Sequence, residues 1–147
     1  MLLRVAGALL VAGFLLEFVA EAFHPSSVHP NNHAAVFTEY AKSDSFTAIH
    51  VGQFIAIIVG LAGLLVLYRA LALRAQTPVL ARLAAAATVA TGALFAMLQA
   101  VDGVALKHSV DAWVAASGAE KSQRFATAET VPGLSGAPTA TSGSYSG

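Results

Sequence analysis

The sequence predicts an all-α fold, an integral membrane helical bundle with three transmembrane helices plus short outer amphipathic helices. Composition is the first observation behind this. The 147 residues are 56% hydrophobic and 11% charged, with a mean hydropathy of +0.69, whereas roughly a quarter of the residues in a soluble domain are charged. The second is length. Uncharged runs recur that reach the roughly 18 or more residues a helix needs to cross a hydrocarbon core at about 1.5 Å per residue. The third is the segregation of charge into the connections, where Lys and Arg mark the cytoplasmic side. Eight Lys+Arg against eight Asp+Glu leave no basic excess to attract nucleic acid. The absence of cysteine removes disulfides, thiolate metal ligands and thiol nucleophiles.

The first span, residues 1–23, carries Glu17 and Glu21 in its second half. Arg4 and the small-x-small triplet Ala20-Glu21-Ala22 raise the alternative of a cleaved leader. A leader's apolar region does not end in two carboxylates, so the segment reads as a span. An outer His-rich loop follows over 24–44, in which Asn31 or Asn32 is placed to cap a short helix with Val36, Phe37 and Tyr40 on one face, expected on the membrane surface. The second span, 45–73, contains the wholly apolar run from Phe54 to Tyr68. The connection 74–77 ends in Thr77-Pro78, a cap followed by proline at the first helical position, and the third span covers 78–102.

Beyond Asp102-Gly103, outer amphipathic helices are expected over 103–131. Leu106, Val110, Trp113 and Val114 form an apolar stripe with Trp113 suited to the interface, and Ser117-Gly118-Ala119-Glu120 has the form of a capping box. Residues 132–147, rich in Gly, Ser, Thr, Ala and Pro, have no periodicity and read as a disordered tail. Arg4, Arg69, Arg74 and Arg82 flank one side of the spans, so the N-terminus is expected in the cytoplasm, with the histidine loop and the C-terminal segment outside. Small residues at i+4 spacing, Ala84, Thr88, Gly92, Ala96 and Ala100 on span three and Gly52, Ala56 and Gly60 on span two, favour close contact between those two helices.

Each span brings polar groups to its outer end. Glu17 lies about 9 Å below the end of span one on the rise of a helix, and Glu21 and His24 follow on the same face. Span two opens with His50 and Gln53, and span three closes with Gln99 and Asp102. Such a cluster binds a cation or relays protons in one reading, and fixes helix register through mutual hydrogen bonds in the other. A separate metal reading rests on His24, His29 and His33, with zinc or copper as the divalent transition metal that imidazoles would take. The alternative is that the His-Pro pairs simply start turns. Two facing histidines on separate spans, as a bis-imidazole haem requires, are not evident. No G-x-S-x-G, H-E-x-x-H or Gly-rich phosphate loop occurs, so no enzymatic role is expected.

The stretch from His24 to Phe54 together with Ala100 to Ala116 resembles small multi-span bacterial inner-membrane proteins of unknown function. The resemblance runs from the start to about Val131 and implies a multi-pass inner (plasma) membrane protein without implying a chemistry. Members of such families look longer, with further spans, so the change of composition at Pro132 implies truncation or an altered reading frame. The leading expectation is a structural or accessory membrane protein. Three helices enclose little interior, which points to homo- or hetero-oligomerisation within the lipid bilayer. The alternatives are a transport or proton-coupled component using Glu17, Glu21, His50 and Asp102, and a histidine-dependent metal-binding protein.

Overall fold

A computed structural model describes residues 1–73 and 78–131. The expected connection 74–77, with its Thr77 cap, and the expected tail 132–147 lie outside the described residues. The described chain is helical, with no strand. Helix α1 spans Leu2–Ala22, α2 His33–Lys42, α3 Phe46–Ala72 and α4 Pro78–Ala100. A π-helical turn, Val101–Leu106, leads into α5, Lys107–Ala115, and α6 is Gly118–Thr130. Three helices are long and apolar enough to cross a membrane: α1, α3 and the continuous helix that α4 begins.

The spans form a layer with α3 in the middle. It packs along α1 on one side and α4 on the other, and α1 and α4 share no comparable interface. The tightest approach is between α1 and α3. A Cβ on Gly13 would sit 2.7 Å from the Gly60 backbone nitrogen, and one on Gly63 would sit 2.9 Å from the Leu10 nitrogen. The small residues of α3 therefore serve a different partner from the one expected. Gly52 and Ala56 face α1 along with Gly60, and the α4 contact is made by larger groups such as Leu61, which lies 3.0 Å from where a Gly92 side chain would begin. Where Gly13 meets Gly60 no side chain holds the backbones apart, whereas at the α4 contact the Leu61 side chain fills the space that Gly92 leaves.

Charge is polarised along this layer. Arg4, Arg69 and Arg82 lie at the end formed by the start of α1, the end of α3 and the start of α4. Every Asp and Glu lies at Glu17 or beyond on the opposite half, the histidine end.

At the histidine end, α2, α5 and α6 form a cap with its own apolar core of Val36, Phe37, Phe46, Leu106, Val110, Trp113 and Ala128. Asn32 caps α2 as expected, its side-chain oxygen accepting from Ala35 N at 3.2 Å. The apolar face of α2, and Trp113 with it, turns into this core. Trp113 is buried, with its ring 6.0 Å from Phe37 and 5.3 Å from Phe125. Phe37 and Phe125 offer an indole more contact than the membrane interface does. Val114 leaves the expected stripe and is exposed, because α6 covers the neighbouring face of α5 instead.

Two local expectations also change. Asp102-Gly103 does not end the third span. The helix passes through the π-helical turn and continues to Ala115, so one 37-residue helix joins the lipid-spanning layer to the cap. Thr47 Oγ1 donates to the Gly103 carbonyl at 2.8 Å, tying the turn to α3. The Ser117 side chain makes no capping hydrogen bond. Gly118 opens α6 with φ +57°, and Glu120 pairs with Arg124 at i+4 instead of reaching back.

Candidate functional site

The site lies where the layer meets the cap. Glu21 is four residues after Glu17 on α1, and Gln53 Nε2 donates to Glu21 Oε2 at 2.9 Å, so α1 and α3 are joined through polar groups directly above their glycine contact. Gln53 is buried. A buried amide costs about 1–3 kcal/mol if left without a partner, and the charge-assisted bond offsets that.

His50 is the most enclosed titratable group of the cluster, 6% exposed. Its Nδ1 lies 2.9 Å from the Phe46 carbonyl one turn earlier. With the proton on Nδ1 this is a donated hydrogen bond, and Nε2 becomes the free acceptor. Gly103 closes one side of the ring so tightly that a Cβ there would overlap the His50 Cβ. His24, just past α1, packs edge-on against His50 with ring centroids 5.3 Å apart, and Phe46 and Tyr40 complete the wall. Two imidazoles, one on α3 and one just beyond the end of α1, thus pack together. Their edge-to-face packing leaves no slot for a porphyrin between them.

Asp102, carried by the π-helical turn, is within Coulombic reach of both His50 and His24. A π-helical turn inside a longer helix is a common feature of functional sites, because the extra residue re-aims side chains. Gln99 and His50 both line a crevice of about 220 Å³ between α3 and the third span, together with Thr47 and Phe54. Glu17 Oε2, Gln99 Oε1 and Asp102 Oδ1 are each shielded and without a hydrogen-bond partner in the chain. All six residues expected at the polar end thus lie near the junction. Glu21 and Gln53 bond each other, Asp102 and His50 interact electrostatically, and Glu17, Gln99 and Asp102 each keep a buried oxygen with no partner.

The three histidines expected to share a metal do not converge. His24 joins the polar cluster, and His29 Nδ1 accepts from Asn31 N at 3.3 Å in the loop. His33 Nδ1 lies 2.8 Å from Glu129 Oε1 and ties α2 to the end of α6. Among the described residues no group of three or more His, Asp and Glu side chains has metal-binding geometry.

Groups outside the expected cluster hold the loop and cap in place. The Ser27 hydroxyl and backbone N–H both donate to Glu39 Oε1, the latter at 3.0 Å. The Ser27 hydroxyl is the main reason the Glu39 carboxyl is held below its ordinary pKa, against a smaller opposing effect of burial. Tyr40 is pushed up, first by burial and then by the Glu39, Asp102 and Glu21 carboxylates, so its phenol stays neutral. Lys107 Nζ donates to the Ala41 carbonyl at 3.0 Å and to Asp111 at 2.7 Å, fastening α2 to the helix that carries Asp102. Phe46, at i−4 from His50, and Tyr40 on the apolar face of α2 are the signals in the sequence of an aromatic lining. Comparison with known proteins adds no relative: no family model, curated protein or solved structure matches the chain.

Proposed function

We propose that the protein is a multi-pass plasma-membrane component of accessory, non-enzymatic character, with its N-terminus cytoplasmic and the cap outside, as in the small bacterial inner-membrane proteins it resembles. Arg4, Arg69 and Arg82 at one end of the layer, against Lys42 alone in the segment that joins α1 to α3, support that orientation. The observation that carries the accessory reading is the open layer. With α3 between α1 and α4 and no third interface to close the triangle, the polar groups of α1 and of the third span sit on opposite flanks of α3. A second chain or further helices would complete the enclosure. Light-scattering mass of the detergent-purified protein tests this: a mass above one chain is expected, and a strictly monomeric particle at all concentrations would reject it.

A second reading is favoured by the shielded, unpartnered oxygens of Glu17, Gln99 and Asp102, of which Asp102 lies within Coulombic reach of the two packed imidazoles. A buried carboxylate with no partner is stabilised by taking a proton or a cation, so the junction is suited to proton exchange between Glu17, Glu21, Asp102 and His50. In liposomes, Glu17→Gln should abolish proton or cation flux while leaving helicity intact. Unchanged flux removes Glu17 as the carrier.

A further inference from the structure

The opposite end of the layer holds a second built feature. Leu65, Tyr68, Arg69 and Ala72, spaced i, i+3, i+4 and i+7, share one face of α3. With Ala81, Arg82 and Ala85 of α4 they line a groove of about 360 Å³ between the two helices. Its walls are one leucine and three alanines, and the short alanine side chains leave the space open. Its polar groups are two guanidiniums and a phenol.

Neither arginine has a carboxylate partner among the described residues, whose ion pairs all lie in the cap. The sequence has no Asp or Glu between Asp44 and Asp102, so neither α3 nor α4 contains a group to neutralise the pair before the far end. A guanidinium presents a planar fork that matches phosphate oxygens two at a time. Two such forks on one interhelical groove, at the end of membrane-spanning helices where headgroups lie, form the kind of basic pocket that takes an anionic lipid headgroup. Apolar walls running from that rim toward the bilayer interior match an acyl chain better than water.

We infer that this groove holds an anionic phospholipid, its phosphate between Arg69 and Arg82, with the Tyr68 hydroxyl donating to an ester or phosphate oxygen and an acyl chain lying along Leu65 and Ala85. A zwitterionic lipid fits less well, because its ammonium group is repelled by two unneutralised guanidiniums. The site does not depend on which leaflet this end faces, nor on the role of the polar cluster.

Native mass spectrometry of the full chain in non-ionic detergent, titrated with phosphatidylglycerol or phosphatidylcholine of matched chains, tests the inference. Phosphatidylglycerol should bind about tenfold more tightly. Arg69→Gln with Arg82→Gln should weaken it about 25-fold, at about fivefold for each arginine near a headgroup. Arg4→Gln, which removes a charge at the same end but outside the groove, should change it far less than either groove substitution. Circular dichroism reports whether each variant keeps its helices. If the glutamine pair unfolds, the wild-type preference for phosphatidylglycerol and a loss of affinity in Arg69→Lys with Arg82→Lys decide the matter. Equal binding of the two lipids overturns the inference. So does an Arg4→Gln loss as large as that of the groove variants, which would mark general surface charge. Displacement of the lipid by millimolar inorganic phosphate also overturns it, because it would mark a soluble-anion site.

Discussion

The cap and the layer use the same apolar side chains in opposite ways. In the cap, Phe37, Phe46 and Val110 are at most 1% exposed, while in the layer Phe14, Phe18, Leu94 and Met97 are each at least 67% exposed. Both arrangements are stable only if their solvents differ. Water drives the cap's phenyl and indole rings together, since burying apolar area is the main favourable contribution to folding there. Hydrocarbon gives α1 and α4 no such reason, so α1 holds α3 through close backbone approach, α4 packs on it through side chains such as Leu61, and both leave their large side chains to lipid. A hydrophobic residue's exposure is therefore informative here only once its region's solvent is known.

The contrast can be broken most severely in the cap. Phe37→Ala removes the ring that touches both Trp113 and Phe125, and should cost about 3–5 kcal/mol. Because the chain has a single tryptophan, in the cap, its fluorescence melt isolates that region, while circular dichroism is dominated by the spans. Loss of the fluorescence transition with the helical signal largely kept is the expected outcome. Simultaneous collapse of both signals would mean the two regions fold as one unit.

The layer has its own weak point. Gly13→Val places side-chain carbon within 2.9 Å of Gly60 backbone atoms and the Ala56 carbonyl, and should cost about 1–3 kcal/mol by forcing the helices apart. Gly60→Ala meets nothing within 4 Å and should be tolerated, although Gly60 lies in the same contact. Equal losses in detergent unfolding titrations would show that the asymmetry of this approach is not what holds α1 to α3.

Acid should sharpen the comparison further. Glu39 has a depressed pKa in the folded cap, so its contribution is present above the ordinary carboxylate value of about 4.3 and is lost as pH falls through the lower folded value. The tryptophan transition should weaken below about pH 4.3, and Glu39→Gln should remove that part of the pH dependence. A variant with the wild-type acid profile would assign the effect to another group. The smallest effect is expected at Phe14→Ala, on the lipid-facing side of α1, where less than about 1 kcal/mol should be lost in a bilayer despite the size of the ring.

Much of this organisation was legible in the chain because span length, capping and charge position are local properties. The three long helices, the Asn32 cap and the gathering of Glu17, Glu21, His50, Gln53, Gln99 and Asp102 at one end all follow from residues read in order. The errors concern choices between partners. Gly52, Ala56 and Gly60 form a close-packing ridge on any reading, but only the position of Gly13 on α1 decides which helix uses it. Trp113 is amphipathic enough for an interface, and only the folding of Phe37 and Phe125 onto it makes it a core residue. Asp102-Gly103 looks like a stop because aspartate and glycine are poor helix formers, yet Thr47 and the close fit of Gly103 on His50 hold a π-helical turn there that no local preference foretells.

That uninterrupted third helix has a mechanical consequence. From Val79 to Ala115 it is a single shaft of 37 residues, about 55 Å at helical rise, with roughly its first two thirds in the apolar layer and the rest in the cap. A bilayer that thins or thickens is accommodated by tilting such a shaft, and Asp102 is positioned like a pivot where the layer meets the cap, so a change in membrane thickness at one end would become leverage on the imidazole pocket and torque on the cap at the other.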